Sequence, residues 1–128
     1  MILDTSVLVA VACKDPGYHV LLDFLATETY IGIGTPTLLE TGMLLAERLG
    51  RDTEGLMRRM RDEFELEEVS FGERHWQEAL GAYWRFGEGR HPAALDLGDC
   101  CSYAVARIAH ERLLYLGGGF ALTDLRVT

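Results

Sequence analysis

Met1-Ile2-Leu3-Asp4-Thr5-Ser6-Val7-Leu8-Val9-Ala10-Val11-Ala12 opens the chain, and the position of its one acid decides the fold. A short apolar run ends in Asp4, and Thr5-Ser6 leads into a second apolar stretch that stops at Lys14-Asp15-Pro16-Gly17. Strand, acidic tip and helix is the reading that this pattern supports. Further along, Val20, Leu21, Phe24 and Leu25 fall at helical spacing, and Tyr30-Ile31-Gly32-Ile33 is the next strand. Thr35 is the expected N-cap of a helix with Pro36 in its first position and Gly50 as its stop. The stretch 51–65 carries Leu56, Met60 and Phe64 at intervals of four, as an amphipathic surface helix does, and 66–70 reads as an edge strand. Trp76, Leu80, Tyr83 and Trp84 mark another helix, a final helix runs from about Leu97 to His110, and Leu113 to Leu116 is the last strand.

Alternating strands and helices in 128 residues predict an α/β fold, a small central parallel sheet flanked by helices, in one domain spanning 1–128. With 48% apolar residues the chain can bury a core without disulfides or structural metal. No uncharged run exceeds 11 residues, short of the roughly 18 a membrane-spanning helix needs. Three cysteines with no ligand-like spacing are expected to be reduced core thiols, and no basic stretch followed by an apolar run marks a signal peptide. A cytoplasmic location is therefore expected. Twelve basic residues against 20 acidic ones give a net charge of -8, which disfavours delocalised binding of nucleic acid through a basic surface. Eleven of the twelve are arginines, so a focused phosphate contact stays open.

In open parallel sheets the ligand crevice lies beyond the carboxyl ends of the strands, where Asp4 stands. Glu40 is isolated in the apolar stretch Leu38-Leu39-Glu40-Thr41-Gly42-Met43, and Asp96 and Asp99 share one face at a helix start. The Asp96–Asp99 spacing also reads as a capping box, and Asp4 alone as a helix cap. What caps do not explain is why Asp4, Glu40 and Asp99 each sit in an apolar segment that the fold brings to one end of the sheet. Carboxylates held together repel one another unless a cation or protons neutralise them. Oxygen donors without His or Cys select Mg²⁺ or Mn²⁺, which suits phosphodiester hydrolysis. The four histidines have no ligand-like spacing. Arg85 and Arg90 bracket a glycine-containing loop beside the acidic motif and read equally as RNA phosphate contacts or as solvated loop charges. The Trp76–Trp84 stripe reads as core or dimer surface, more than as a platform for stacked bases.

Ile2-Leu3-Asp4-Thr5-Ser6, Thr37-Leu38-Leu39-Glu40, and the segment from Arg85-Phe86-Gly87-Glu88-Gly89-Arg90 through Asp96-Leu97-Gly98-Asp99-Cys100 together resemble the PIN-domain ribonuclease toxins called VapC. The resemblance implies a PIN-like fold and a Mg²⁺-dependent endoribonuclease that cuts tRNA or ribosomal RNA. It also implies a homodimer held inactive by a VapB-type antitoxin. Asp4, Glu40 and Asp99 match the family's metal-binding and catalytic acids, Ser6 matches a small polar residue supporting the first Asp, and Asp96 falls where many relatives carry Asn. The chain departs from the family at Gly117-Gly118-Gly119, where relatives often carry acids. Three outcomes are open: Asp124 reaches in as the fourth acid, three carboxylates suffice, or the protein is a weakened module that binds antitoxin or RNA without cleavage. An aspartyl phosphate on Asp4 is a third chemistry, and it lacks the nearby second acid and lysine it would need.

Overall fold

In the computed structural model, which describes residues 1–125, the first apolar run is a strand of two residues, β1 (Ile2–Leu3), with both side chains fully buried. It is followed at once by α1 (Thr5–Ala12), then α2 (Tyr18–Ala26), β2 (Gly32–Gly34), α3 (Thr35–Leu49) and α4 (Glu54–Glu63). The chain continues through β3 (Glu67–Val69), α5 (Glu73–Phe86), α6 (Leu97–Ala109), β4 (Leu113–Leu114) and a 3₁₀ turn, Phe120–Leu122. The strands form one sheet in the order β3-β2-β1-β4, and every pair is parallel. Ile2 pairs with Gly32 on one side and Leu113 on the other.

Because side chains alternate across a strand, Ile2 and Leu3 point to opposite faces, and each face has its own core. Leu3 joins Val7, Leu8, Leu25, Ile33, Leu45 and Met60 from α1 to α4, whereas Ile2 joins Ala82, Leu95, Tyr103, Val105, Leu113 and Phe120 from the α5–α6 side. The chain steps outward from β1 to β2 to β3 and then returns to the other edge of β1 as β4. The topological switch therefore falls between β1 and β4, and Asp4 follows β1 directly. This is where a parallel sheet opens a crevice.

Three details differ from the sequence reading. Gly34, not Thr35, caps α3, since the helix begins one residue earlier and Thr35 already lies within it, with Pro36 in the first turn. Residues 51–53 stay outside α4, where Thr53 Oγ1 donates to the Gly42 carbonyl at 2.7 Å and ties the loop to α3. The core half of the expectation for the α5 stripe is overturned: Trp76 is 53% and Trp84 66% exposed. The helix packs against its neighbour through Ala79, Ala82 and Phe86, small or terminal residues that let α5 approach α6 closely.

The glycine triplet is also fixed by backbone. Gly117 and Gly118 have φ of +62° and +73°, and a Cβ on Gly119 would stand 1.8 Å from the Ala93 carbonyl oxygen. An aspartate there is excluded unless the backbone moves. Gly119→Asp is expected to lower the melting temperature by several degrees or more without adding a usable acid, and differential scanning calorimetry reads the change.

Candidate metal centre at the carboxyl end of the sheet

Asp4 caps α1, but its carboxylate does more than cap. Oδ2 accepts from the Ser6 backbone N–H at 3.2 Å and from Ser6 Oγ at 2.8 Å, while Oδ1 accepts from Ser102 Oγ on α6 at 2.9 Å. The residue is buried, at 6% exposure, and no Lys, Arg or His pairs with it among the described residues. Ser6 Oγ in turn accepts from the Leu116 backbone N–H at 2.9 Å, which ties the exit of β4 to the same site. Ser6 thus supports Asp4 from both its hydroxyl and its backbone.

Glu40 stands one turn into α3, where Thr5 Oγ1 donates to its Oε1 at 2.9 Å. Its carboxylate lies against the first turn of α6, and a Cβ on Gly98 would come 2.3 Å from Oε2 and 2.4 Å from Oε1. Glycine at position 98 is what lets a charged side chain from another helix rest on the α6 N-terminus, where the helix dipole favours a negative charge. Gly98→Ala is expected to displace Glu40 and to reduce RNA cleavage by about tenfold or more, with a smaller loss of stability. An unchanged cleavage rate in that variant would show that the position of Glu40 is unimportant.

Asp96 and Asp99 form the reciprocal cap expected from their spacing: Asp96 Oδ1 accepts from the Asp99 N–H at 2.9 Å, and Asp99 Oδ2 accepts from the Asp96 N–H at 3.1 Å. Capping does not remove the electrostatic strain. Burial, together with the charges of Asp96 and Asp4, pushes the Asp99 carboxyl up to about 7, although its backbone hydrogen bond works in the opposite direction. Asp4 and Asp99 are therefore close enough to feel each other, and neither has a positive ion-pair partner among the described residues.

The carboxylates do not close on one point. Among the described residues, no three His, Cys, Asp or Glu side chains are gathered closely enough to ligate a single ion. Asp4 and Asp99 are the two whose charges act on each other, bordered by Asp96 and by Glu40, which accepts from Thr5. The donors are oxygens on anions without a positive partner among the described residues, a chemistry that suits a hard divalent cation such as Mg²⁺, and Asp4 and Asp99 are the residues that could hold one.

Two other expected site residues bond to each other. The Asp124 carboxylate accepts from the Tyr103 hydroxyl and faces Arg85 at 3.3 Å and Arg107 at 3.6 Å. Although partial burial opposes it, the Tyr103 hydroxyl and the Arg107 and Arg85 charges hold that carboxyl below its ordinary value. Arg85, donating to Tyr103 Oη at 2.9 Å and to Asp124, fastens the segment after β4 to α5 and α6. Arg90 remains exposed, with its guanidinium carbon 3.9 Å from the Trp84 ring centroid.

Ser102, Thr5 and Gly98 were not singled out from sequence. Ser102 lies three residues after Asp99, on the same face of α6, and that spacing was the available signal. Nothing in the sequence marks Gly98 as the seat of Glu40, because that contact joins two helices 58 positions apart by numbering.

This geometry has relatives. The PIN domain family model matches residues 1–124. The chain belongs to the PIN-domain family of VapC ribonucleases. Ribonuclease VapC36 of Mycobacterium tuberculosis is 37% identical over 126 residues, covering 98% of this chain and 91% of the relative. Ribonuclease VapC of Mycolicibacterium smegmatis is 33% identical over 125 residues, covering 98% and 97%. Among solved structures, Mycobacterium tuberculosis VapC20, described as a toxin cleaving the sarcin-ricin loop, superposes with a TM-score of 0.80 at 18% identity, covering 99% of this chain and 97% of that one. The PIN fold expected from the motifs is thus the fold observed, and the acids of this VapC-family chain occupy the carboxyl edge of its sheet.

Proposed function

We propose that the chain is the ribonuclease toxin of a toxin–antitoxin pair and that it hydrolyses RNA phosphodiester bonds with Mg²⁺, for which Mn²⁺ can substitute. The observation that carries this reading is the pair of buried Asp4 and half-buried Asp99 at the topological switch, with no cation among the described residues to neutralise it. A divalent ion bound there supplies Lewis-acid stabilisation of charge on the scissile phosphate and a more acidic bound water. The chain's own residues do the rest. Ser6 and Ser102 hold Asp4 in one orientation through both oxygens, so its charge is preorganised. Asp96 caps α6 and fixes the turn that presents Asp99, while Thr5 and Gly98 set Glu40 at the edge of the pair, where it can take a proton from an attacking water.

The substrate class proposed is structured cellular RNA, tRNA or ribosomal RNA. The partners proposed are a VapB-type antitoxin and a second copy of the chain, in the cytoplasm. Support for an antitoxin comes from the likeness to a chain of a toxin–antitoxin complex from Klebsiella pneumoniae, with a TM-score of 0.72, 17% identity and coverage of 99% of this chain and 95% of that one. No helix is long and apolar enough to cross a membrane among the described residues. Incubating the purified protein with total cellular RNA in Mg²⁺, Mn²⁺ or EDTA tests the activity; cleavage is expected with either metal and none with chelator. Equal cleavage in EDTA, or none under any condition, contradicts the reading. The second result favours a module that binds antitoxin or RNA without cutting, a reading motivated by Gly117-Gly118-Gly119 and by the engagement of Asp124 elsewhere.

A further inference from the structure

We propose, resting on the ribonuclease reading, that Trp84 and Arg90 form a stacking subsite for an unpaired base of the RNA strand that enters the carboxylate site. The outer face of α5 carries Trp76, Leu80, Tyr83 and Trp84, and none of them is buried. Over this face lies Arg90, with its guanidinium carbon 3.9 Å from the Trp84 ring centroid and 5.3 Å from that of Tyr83.

Two features together distinguish this cation. Arg48, Arg58, Arg61, Arg85, Arg107 and Arg112 each pair with an acid, whereas Arg90 has no carboxylate within ion-pair distance among the described residues, not even Glu88 two positions away. Arg51, Arg59 and Arg74 also lack an acid there, but none of them lies over an aromatic ring; Arg85 and Arg107, which do, are neutralised by Asp124. Arg90 alone among the described residues combines a free charge with a ring beneath it. Aromatic rings hold its guanidinium without cancelling its charge, which leaves it able to meet a phosphate.

The loop bearing Arg90 is well fixed. Gly87 pairs with Leu95, the Glu88 N–H donates to the Leu95 carbonyl at 3.1 Å, and the Ala93 N–H donates to His91 Nδ1 at 3.0 Å. Leu95 then runs straight into Asp96. Asp96 lies six positions after Arg90, so even a fully extended chain would keep them within about 21 Å. The Gly87–Leu95 pairing folds the loop back and shortens that span. A strand whose phosphate is at Asp4 and Asp99 can therefore place a base a few nucleotides away at Trp84.

Single-stranded RNA is the occupant that this combination favours. Every base has a π-face for the indole, and its backbone offers the anion that Arg90 lacks, whereas a protein of net charge -8 has few other places to receive a polyanion. The chain has two tryptophans, so Trp76→Phe leaves Trp84 as the sole indole reporter. In EDTA, titrating this variant with a single-stranded 12-nucleotide RNA is expected to quench its emission, and the same sequence as a duplex to quench it much less. By anisotropy of labelled RNA, Trp84→Leu and Arg90→Gln should each weaken binding about fivefold to tenfold, while Trp84→Phe keeps most of the affinity. In Mg²⁺, Trp84→Leu should raise KM with kcat little changed. Both side chains are exposed, so melting temperatures should stay within a degree or two, which separates a lost contact from a lost fold.

Binding and metal-dependent cleavage with unaltered Trp84 emission and unaltered affinity in both variants would overturn the subsite and leave the ribonuclease reading standing. Quenching by RNA without cleavage in any metal would uphold the subsite and remove the nuclease. A Trp84→Leu protein with unchanged RNA affinity but an altered sedimentation mass or antitoxin retention would assign the face to a protein contact and overturn the proposal.

Discussion

Asp4→Asn is expected to lower metal-dependent RNA cleavage by about a thousandfold or more, the equivalent of roughly 4 kcal/mol of transition-state stabilisation. The substitution keeps size and keeps a cap for α1, since Asn caps helices as well as Asp does. What it removes is the charge, and with it one of the two anions that define the site. It also places an amide –NH₂ among donors: whichever way the side chain turns, an N–H faces either Ser102 Oγ, now 2.9 Å from Oδ1, or the Ser6 N–H and hydroxyl around Oδ2. The Ser102 hydroxyl can turn to accept, so the protein should stay folded with a modest drop in melting temperature. Total RNA digestion and growth arrest on expression both read the effect. A loss of less than tenfold would mean that Asp4 is only a cap.

The second expected result concerns pH. Asp99 titrates near 7 in the folded protein against 3.8 when unperturbed, so between those values the folded state holds a proton that the unfolded state has released. Stability therefore falls as pH rises through that window in metal-free protein, and the penalty is complete above about pH 8. A full shift of this size would correspond to about 4 kcal/mol, and solvent screening of a partly exposed group reduces the expected figure to about 1–2 kcal/mol. Asp99→Asn, which keeps an acceptor for the Asp96 N–H, should melt above wild type at pH 8 in EDTA and lose that advantage at pH 4. Saturating Mn²⁺ should reverse the order at pH 8, because a cation that binds only the folded, ionised pair stabilises wild type and has little to hold in the variant. Identical melting of wild type and variant across pH 4–8 in EDTA would contradict the crowding of Asp99 by Asp4 and Asp96.

Much of the frame was legible because it rests on local rules. The alternation of apolar runs with turn residues located the four strands and six helices of the described residues, and the reciprocal cap of Asp96 and Asp99 followed from their spacing alone. Helix ends were less legible, as at Thr35, because Gly34 passes from extended strand directly into α3 and leaves no loop for a capping side chain. Long-range pairing was hidden. That Ser102 would bond Asp4, that Gly98 would seat Glu40, and that Asp124 would be taken by Tyr103 and two arginines depend on how α6 lies across the sheet. The exposure of Trp76 and Trp84 was hidden for a related reason. Periodicity identifies an apolar stripe, but Ala79 and Ala82 offer a second, smaller stripe on the same helix, and packing chose the one that lets α5 and α6 approach.

Soaking crystals in Mn²⁺ and collecting anomalous data probes the metal claim at its source. A peak between the Asp4 and Asp99 carboxylates, lost in crystals of Asp99→Asn, is the predicted result. A site that stays empty at saturating Mn²⁺, or an ion held by other residues, would contradict it.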